Sequence, residues 1–217
     1  MLIGKKNGFT MVELLIVTVI LGLMIGGGVL LSSSGQMAWF STEASIQVQE
    51  SLRRTTQHLA RELQESGYDK NSVAQFAIND GAGANATDTL RFSIPVICHN
   101  GDNVIDNNGD VAYWGAPLTW GCTTSPCMDA DDICATVDYK SIEYGVGNNN
   151  QLFRRVFDGV GVKVREDIIA YHVVDFQAQL SADQNSITIN VTAQSKSAMN
   201  TVISRSTVIE VYLRNRG

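Results

Sequence analysis

Residues 9–31 read FTMVELLIVTVILGLMIGGGVLL, an apolar run with Glu13 as its single charge. As a helix rising 1.5 Å per residue the run spans about 34 Å, enough to cross a bilayer. Residues 1–8, MLIGKKNG, are basic and end in glycine. A secretory signal peptide has a shorter apolar core and a small-residue cleavage site after it. Here the processing-like feature, Lys-Lys-Asn-Gly, comes first. Lys5 and Lys6 predict that this end stays cytoplasmic and that the rest of the chain is sent outward.

Glu13 is the informative residue of the run. A carboxylate inside a bilayer is expensive, so intramembrane acids have a partner and a function. Glu13 lies one helical turn from Phe9. A cut after Gly8 would turn Phe9 into a new N-terminus, whose amine is a cation within reach of Glu13 in the same chain or the next. The rival reading is a plain signal anchor with an incidental glutamate.

Gly8-Phe9-Thr10-Met11-Val12-Glu13-Leu14 resembles the processing motif of type IV pilins and type II secretion pseudopilins. The resemblance implies cleavage between Gly8 and Phe9 by a prepilin peptidase and N-methylation of Phe9. It also implies that Glu13 meets a neighbour's N-terminal amine in a filament. Relatives often carry a helix-kinking proline further along; this chain has none before Pro95 and instead has Gly22, Gly26, Gly27 and Gly28. Each weakens a helix by about 1 kcal/mol relative to alanine, so this stretch is expected to soften when packed. Gly22-x-x-x-Gly26 also matches a small-residue helix contact face.

Beyond Ser32–Ser34 the pattern becomes amphipathic. Val48, Leu52, Thr55 or Thr56, Leu59 and Leu63 recur at steps of three and four, a helical face. Glu50–Arg54 and Arg61–Glu65 are opposite charges four apart. Gly67 suits a helix stop. One helix from about Thr10 to Ser66 is expected, with His58 on it as a solvated or capping residue. Residues 9–31 form its membrane or filament-core part and 32–66 its amphipathic continuation.

Residues 67–217 read as a β-rich globular domain. Leu90–Val96 is β-prone, and Ile142–Val146 and Leu152–Phe157 flank Gly147-Asn148-Asn149-Asn150, a hairpin turn. Ile168–Leu180 reads as one strand, with His172 inside it as a structural residue. Ser186–Ala193 follows, and near the end Ile209, Val211 and Leu213 alternate with Val208, Glu210 and Tyr212. Period-two alternation predicts an antiparallel sheet with one face covered, and the helix after Ser41 is its natural cover. The fold class is therefore α+β. The order SIEYGV–GNNN–QLFRRV, VVDFQAQL and a closing strand ending YLRNRG is similar to J-type minor pseudopilins and PilW-like minor pilins. That likeness implies a minor subunit at or near a filament tip that helps initiate assembly.

The chain holds 16 basic and 22 acidic residues, a net of −6. Without residues 1–31 the balance is 14 against 21. Such a domain has no general attraction for nucleic acid or anionic lipid, which disfavours DNA contact without excluding a local basic patch. Cys98, Cys122, Cys127 and Cys134 cluster in an insertion at 98–134. An even, clustered set in an exported chain reads as two disulfides, with three pairings open. A zinc site is the poorer reading, since no C-x2-C pair occurs.

Within that insertion Asp106, Asn108 and Asp110 repeat the D-x-N-x-D spacing of calcium loops, with Asp102 just upstream. The glutamate expected further on is missing; Asp129, Asp131 and Asp132 are substitutes. The other reading is a solvated Asn/Asp turn. Trp39, Trp114 and Trp120 suit surface recognition or core packing. No G-x-S-x-G, P-loop, H-E-x-x-H or dinucleotide fingerprint occurs, so no enzyme is expected.

Taken together, these residues predict a minor pilin or pseudopilin that sits first in the inner membrane, domain in the periplasm, and then in a filament. Its expected partners are other such subunits and, as the resemblance implies, an assembly ATPase acting through a platform protein. The alternative is an adhesive or DNA-uptake pilin whose cysteine loop binds a ligand.

Overall fold

A computed structural model describes residues 10–69, 71–81, 87–95, 105–116, 141–158 and 161–213. The first element, α1 (Met11–Leu63), is one uninterrupted helix that runs straight through the glycines at 22, 26, 27 and 28. At 1.5 Å per residue it is about 80 Å long. Its first half is not covered by any of the described residues: from Met11 to Leu31 the large apolar side chains are all exposed. Burial begins at Ala44 and continues through Val48, Ser51, Leu52, Thr55, Leu59, Glu62 and Leu63, the stripe that the sequence period marks out. The helix stops earlier than Gly67 would place it. Gln64 caps it, and Glu65 and Ser66 close a tighter turn by donating to the carbonyls of Glu62 and Leu63.

Among the described residues ten strands follow: β1 (Phe76–Asn79), β2 (Thr89–Phe92), β3 (Ile94–Pro95), β4 (Trp114–Gly115), β5 (Ser141–Gly147), β6 (Gln151–Phe157), β7 (Lys163–Tyr171), β8 (Val173–Leu180), β9 (Ser186–Lys196) and β10 (Val202–Tyr212). Among the described residues they make a five-stranded sheet in the order β1-β2-β5-β6-β7, a three-stranded sheet in the order β10-β9-β8, and a small β3-β4 pair. Every pairing is antiparallel. The C-terminal half of α1 lies on β9, β10 and β7, so one helix covers parts of both larger sheets.

The expected hairpin is present: β5 and β6 pair from Ser141↔Phe157 to Gly147↔Gln151 across the asparagine turn, where Asn150 takes φ 54. Asparagine tolerates this left-handed conformation better than most side chains. Gly145 in β5 is required sterically, because a Cβ there would stand 2.8 Å from Phe153 Cζ and from Thr89 Cγ2. The Phe153 ring fills the space that this glycine leaves, and the Arg155 guanidinium sits 3.5 Å above the ring centroid.

The single strand expected over Ile168–Leu180 is two strands in two different sheets. The break is His172, at φ 64. Left-handed backbone cannot continue a strand, so the chain turns out of the five-stranded sheet and into the three-stranded one. Hydrogen bonds secure both sides of the corner: Val173 donates to the Asn150 carbonyl at 3.0 Å and Gln194 to the His172 carbonyl at 2.7 Å. The apolar run Ile168-Ile169-Ala170-Tyr171 resumes at Val173-Val174 with only His172 between, which is why the sequence alone reads it as continuous.

Asp88 is the second link between the sheets. Its side chain is buried, accepting from Ala178 N–H at 2.8 Å through Oδ2 and from Gly81 N–H at 3.3 Å through Oδ1. Its own N–H donates to the Phe176 carbonyl at 2.8 Å. A carboxylate so held fixes the position of β8 against the segment entering β2.

Candidate functional site

The exposed half of α1 is the surface on which function is to be sought, and its first turn is built by Thr10 and Glu13. Thr10 has extended backbone (φ −78, ψ 152) and stands at the N-cap. Its Oγ1 accepts from Glu13 N–H at 3.3 Å, while Glu13 Oε2 accepts from Thr10 N–H, also at 3.3 Å. This reciprocal capping box satisfies two of the backbone donors that a helix start leaves open. Glu13 therefore has a role within its own chain before any neighbour is considered. The carboxylate sits where the positive end of the helix dipole favours it. Gly8 and Phe9, the expected cleavage and methylation positions, lie outside the described residues.

The other end of α1 is anchored by a group of polar residues that the sequence reading passed over. Glu62 lies on the buried stripe of the helix, and Arg154 and Tyr144 project toward it from β6 and β5. Arg154 Nε lies 3.1 Å and 3.0 Å from the two Glu62 oxygens, and its Nη2 lies 2.9 Å from Oε1. Tyr144 donates its hydroxyl to Glu62 Oε2 at 2.7 Å. All three side chains are buried. Burial opposes the charge on Arg154, but the hydrogen bond and the charge of Glu62 outweigh it, holding the guanidinium above its ordinary value. Burial, then the Glu62 charge, pushes the Tyr144 phenol well up.

His58, one turn earlier, is half-buried rather than solvated. Burial first, then the charges of Arg154, Arg54 and Arg61, lower its pKa to about 4, so the ring is neutral at pH 7. A signal for this cluster does exist in the sequence. Leu152, Arg154 and Val156 share one face of β6, and Glu62 stands beside Leu59 and Leu63. An acid and a base on two inward faces is a pairing that the alternation allows.

Of the calcium residues, Asp106, Asn108 and Asp110 are described and Asp102 is not. They form a tight turn closed by the Ile105↔Val111 bridge. Asp106 Oδ1 accepts from Asn108 N–H at 2.8 Å and Asp110 N–H at 3.0 Å, and Gly109 takes φ 90. These bonds are what an Asx turn requires with or without an ion. Among the described residues, no three His, Cys, Asp or Glu side chains gather closely enough to hold a metal. Cys98, Cys122, Cys127 and Cys134 all lie outside the described residues, as does Trp120. Trp114 is buried in the core, and Trp39 stands exposed on the helix.

Residues 3–29 match the prokaryotic N-terminal methylation motif. No curated protein and no solved structure matches the chain. The motif is a type IV pilin-like signal, and the apolar helix that carries it is long enough to cross a membrane.

Proposed function

We propose that this chain is a minor subunit of a type IV pilin-like filament, cleaved between Gly8 and Phe9, methylated on Phe9 and packed through the first half of α1. The observation that carries the reading is the division of one helix into two surfaces. From Ala44 onward its stripe is buried under the sheets, whereas the apolar window in its first half is entirely unburied. An apolar surface of that size is not left to water. Lipid covers it first and neighbouring helices cover it afterwards. Glu13, released from its own cap, is placed to meet a neighbour's N-terminal amine as the subunit leaves the bilayer. A role at the tip, priming or capping assembly, rests on the likeness of strand order to J-type minor pseudopilins. The four cysteines belong to the same reading as two disulfides formed in the periplasm.

Mass spectrometry of the protein purified from its own membranes tests this directly. The expected species lacks residues 1–8, carries one methyl group on Phe9, and gains the mass of four hydrogens on reduction. An intact N-terminus would overturn the proposal. In parallel, Glu13→Ala is expected to leave the subunit in the membrane and remove it from sheared filaments.

A further inference from the structure

We propose that Trp39 is an interfacial anchor, seating the outer end of the apolar half of α1 in the lipid headgroup layer on the side of the membrane that carries the sheets. This rests on the membrane-spanning reading of the helix and adds to it a defined depth. No charged residue occurs between Leu14 and Thr42. That uncharged stretch is about 43 Å long at 1.5 Å per residue, close to the 40–45 Å of a bilayer with its headgroups. The strongly apolar run ends at Leu31, and Trp39 lies about 12 Å beyond it. With Glu13 at the inner edge of the hydrocarbon, Leu31 comes near the outer edge, and Trp39, about 39 Å further along the helix than Glu13, reaches the outer part of the headgroup layer once a tilt of about 20° shortens its depth to about 37 Å.

Besides Ser32 and Gln36, the polar residues between Leu31 and Glu43 make their hydrogen bonds within the helix. Ser33 and Ser34 donate their hydroxyls to the carbonyls of Leu30 and Leu31 at 2.9 Å and 3.0 Å. Ser41 and Thr42 both donate to Ala38 O, at 2.9 Å and 2.8 Å. Each hydroxyl has its partner within the helix and does not demand water. The indole suits the layer, since an apolar ring with one N–H donor is stable where hydrocarbon gives way to polar groups. Helical side chains lean toward the N-terminus, which tilts this ring toward the apolar run.

The exposure of Trp39 agrees with such a partner. Trp39 is 70% exposed, although Ala44, little more than a turn later, is 3% exposed under the sheets. The covered surface of the domain thus begins immediately above the proposed membrane surface, and Glu43 is the first charge outside it. Because the chain beyond residue 31 is acidic, general electrostatic attraction to anionic lipid does not serve as the anchor. An aromatic residue continuous with the membrane-spanning face does.

Tryptophan fluorescence of the full chain in phospholipid vesicles tests the depth. Trp114→Phe with Trp120→Phe leaves Trp39 as the sole emitter. Lipids brominated near the headgroup are expected to quench it more than lipids brominated near the chain end. In a second protein, Trp39→Phe and Leu21→Trp are added to these two changes. They move the emitter to the centre of the span, and the order of quenching is expected to reverse. If the Leu21→Trp protein is quenched and Trp39 in the first protein is not, the anchor is overturned while the span stands; Trp39 then faces water or protein. If neither is quenched, the membrane-spanning reading falls and the anchor falls with it. Should Trp114→Phe fail to fold, the difference in quenching between the unaltered chain and Trp39→Phe gives the same readout.

Discussion

Glu62 and Arg154 face each other where two apolar surfaces meet, one on the inner stripe of α1 and the other on β6. Removing one partner strands the other charge away from water, whereas replacing both with apolar groups of similar volume is far milder. Glu62→Leu or Arg154→Met alone is therefore expected to cost about 3–5 kcal/mol. Glu62→Leu combined with Arg154→Met should cost clearly less than the two single losses together. Urea unfolding of the detergent-solubilised chain measures the cycle, and simple additivity would show that the pair is not coupled. Both residues could be placed on inward faces from the spacing of their apolar neighbours. That they meet could not be read there, because they are far apart in the chain and nothing local sets the distance between a helix and a strand. Glu13 is the opposite case: its capping box with Thr10 is a contact three residues apart, and the sequence carries both halves of it.

At the scale of elements, α1 was legible from its period and the β5–β6 hairpin from its asparagine turn, since each depends on neighbours close in sequence. The break at His172 was not legible. Its left-handed backbone is imposed by the two sheets that it joins; histidine tolerates that conformation better than most side chains but does not by itself require it. A β-branched residue is strained there, whereas glycine is free of the strain. His172→Val is expected to destabilise the domain by about 1–2 kcal/mol, while His172→Gly changes stability by at most about 0.5 kcal/mol. Denaturant midpoints at unchanged slope provide the comparison. Equal losses in the two variants would mean that the imidazole, and not the backbone, matters at this corner.

On the scale of the whole molecule, the apolar half of α1 and the folded domain are physically separate claims on one helix. Burial begins only at Ala44, so the described residues up to Leu31 contribute nothing to the core. A chain beginning at residue 32 is expected to be soluble without detergent and to unfold at the same denaturant midpoint as the full chain. A marked fall in the midpoint would show that the exposed segment takes part in the core after all. The sequence by itself determined the apolar span, the processing motif, the length and inner stripe of the helix, and the presence of an antiparallel sheet. Those features follow from composition, local hydrogen bonding and periodicity, which act over a few residues. Only the tertiary structure decided that the strands divide into separate sheets at His172, and that Asp88 joins those sheets. It also decided that Glu62 is buried against Arg154 and Tyr144. Such contacts depend on where distant segments come to rest, and that is set by the simultaneous packing of the helix and both sheets.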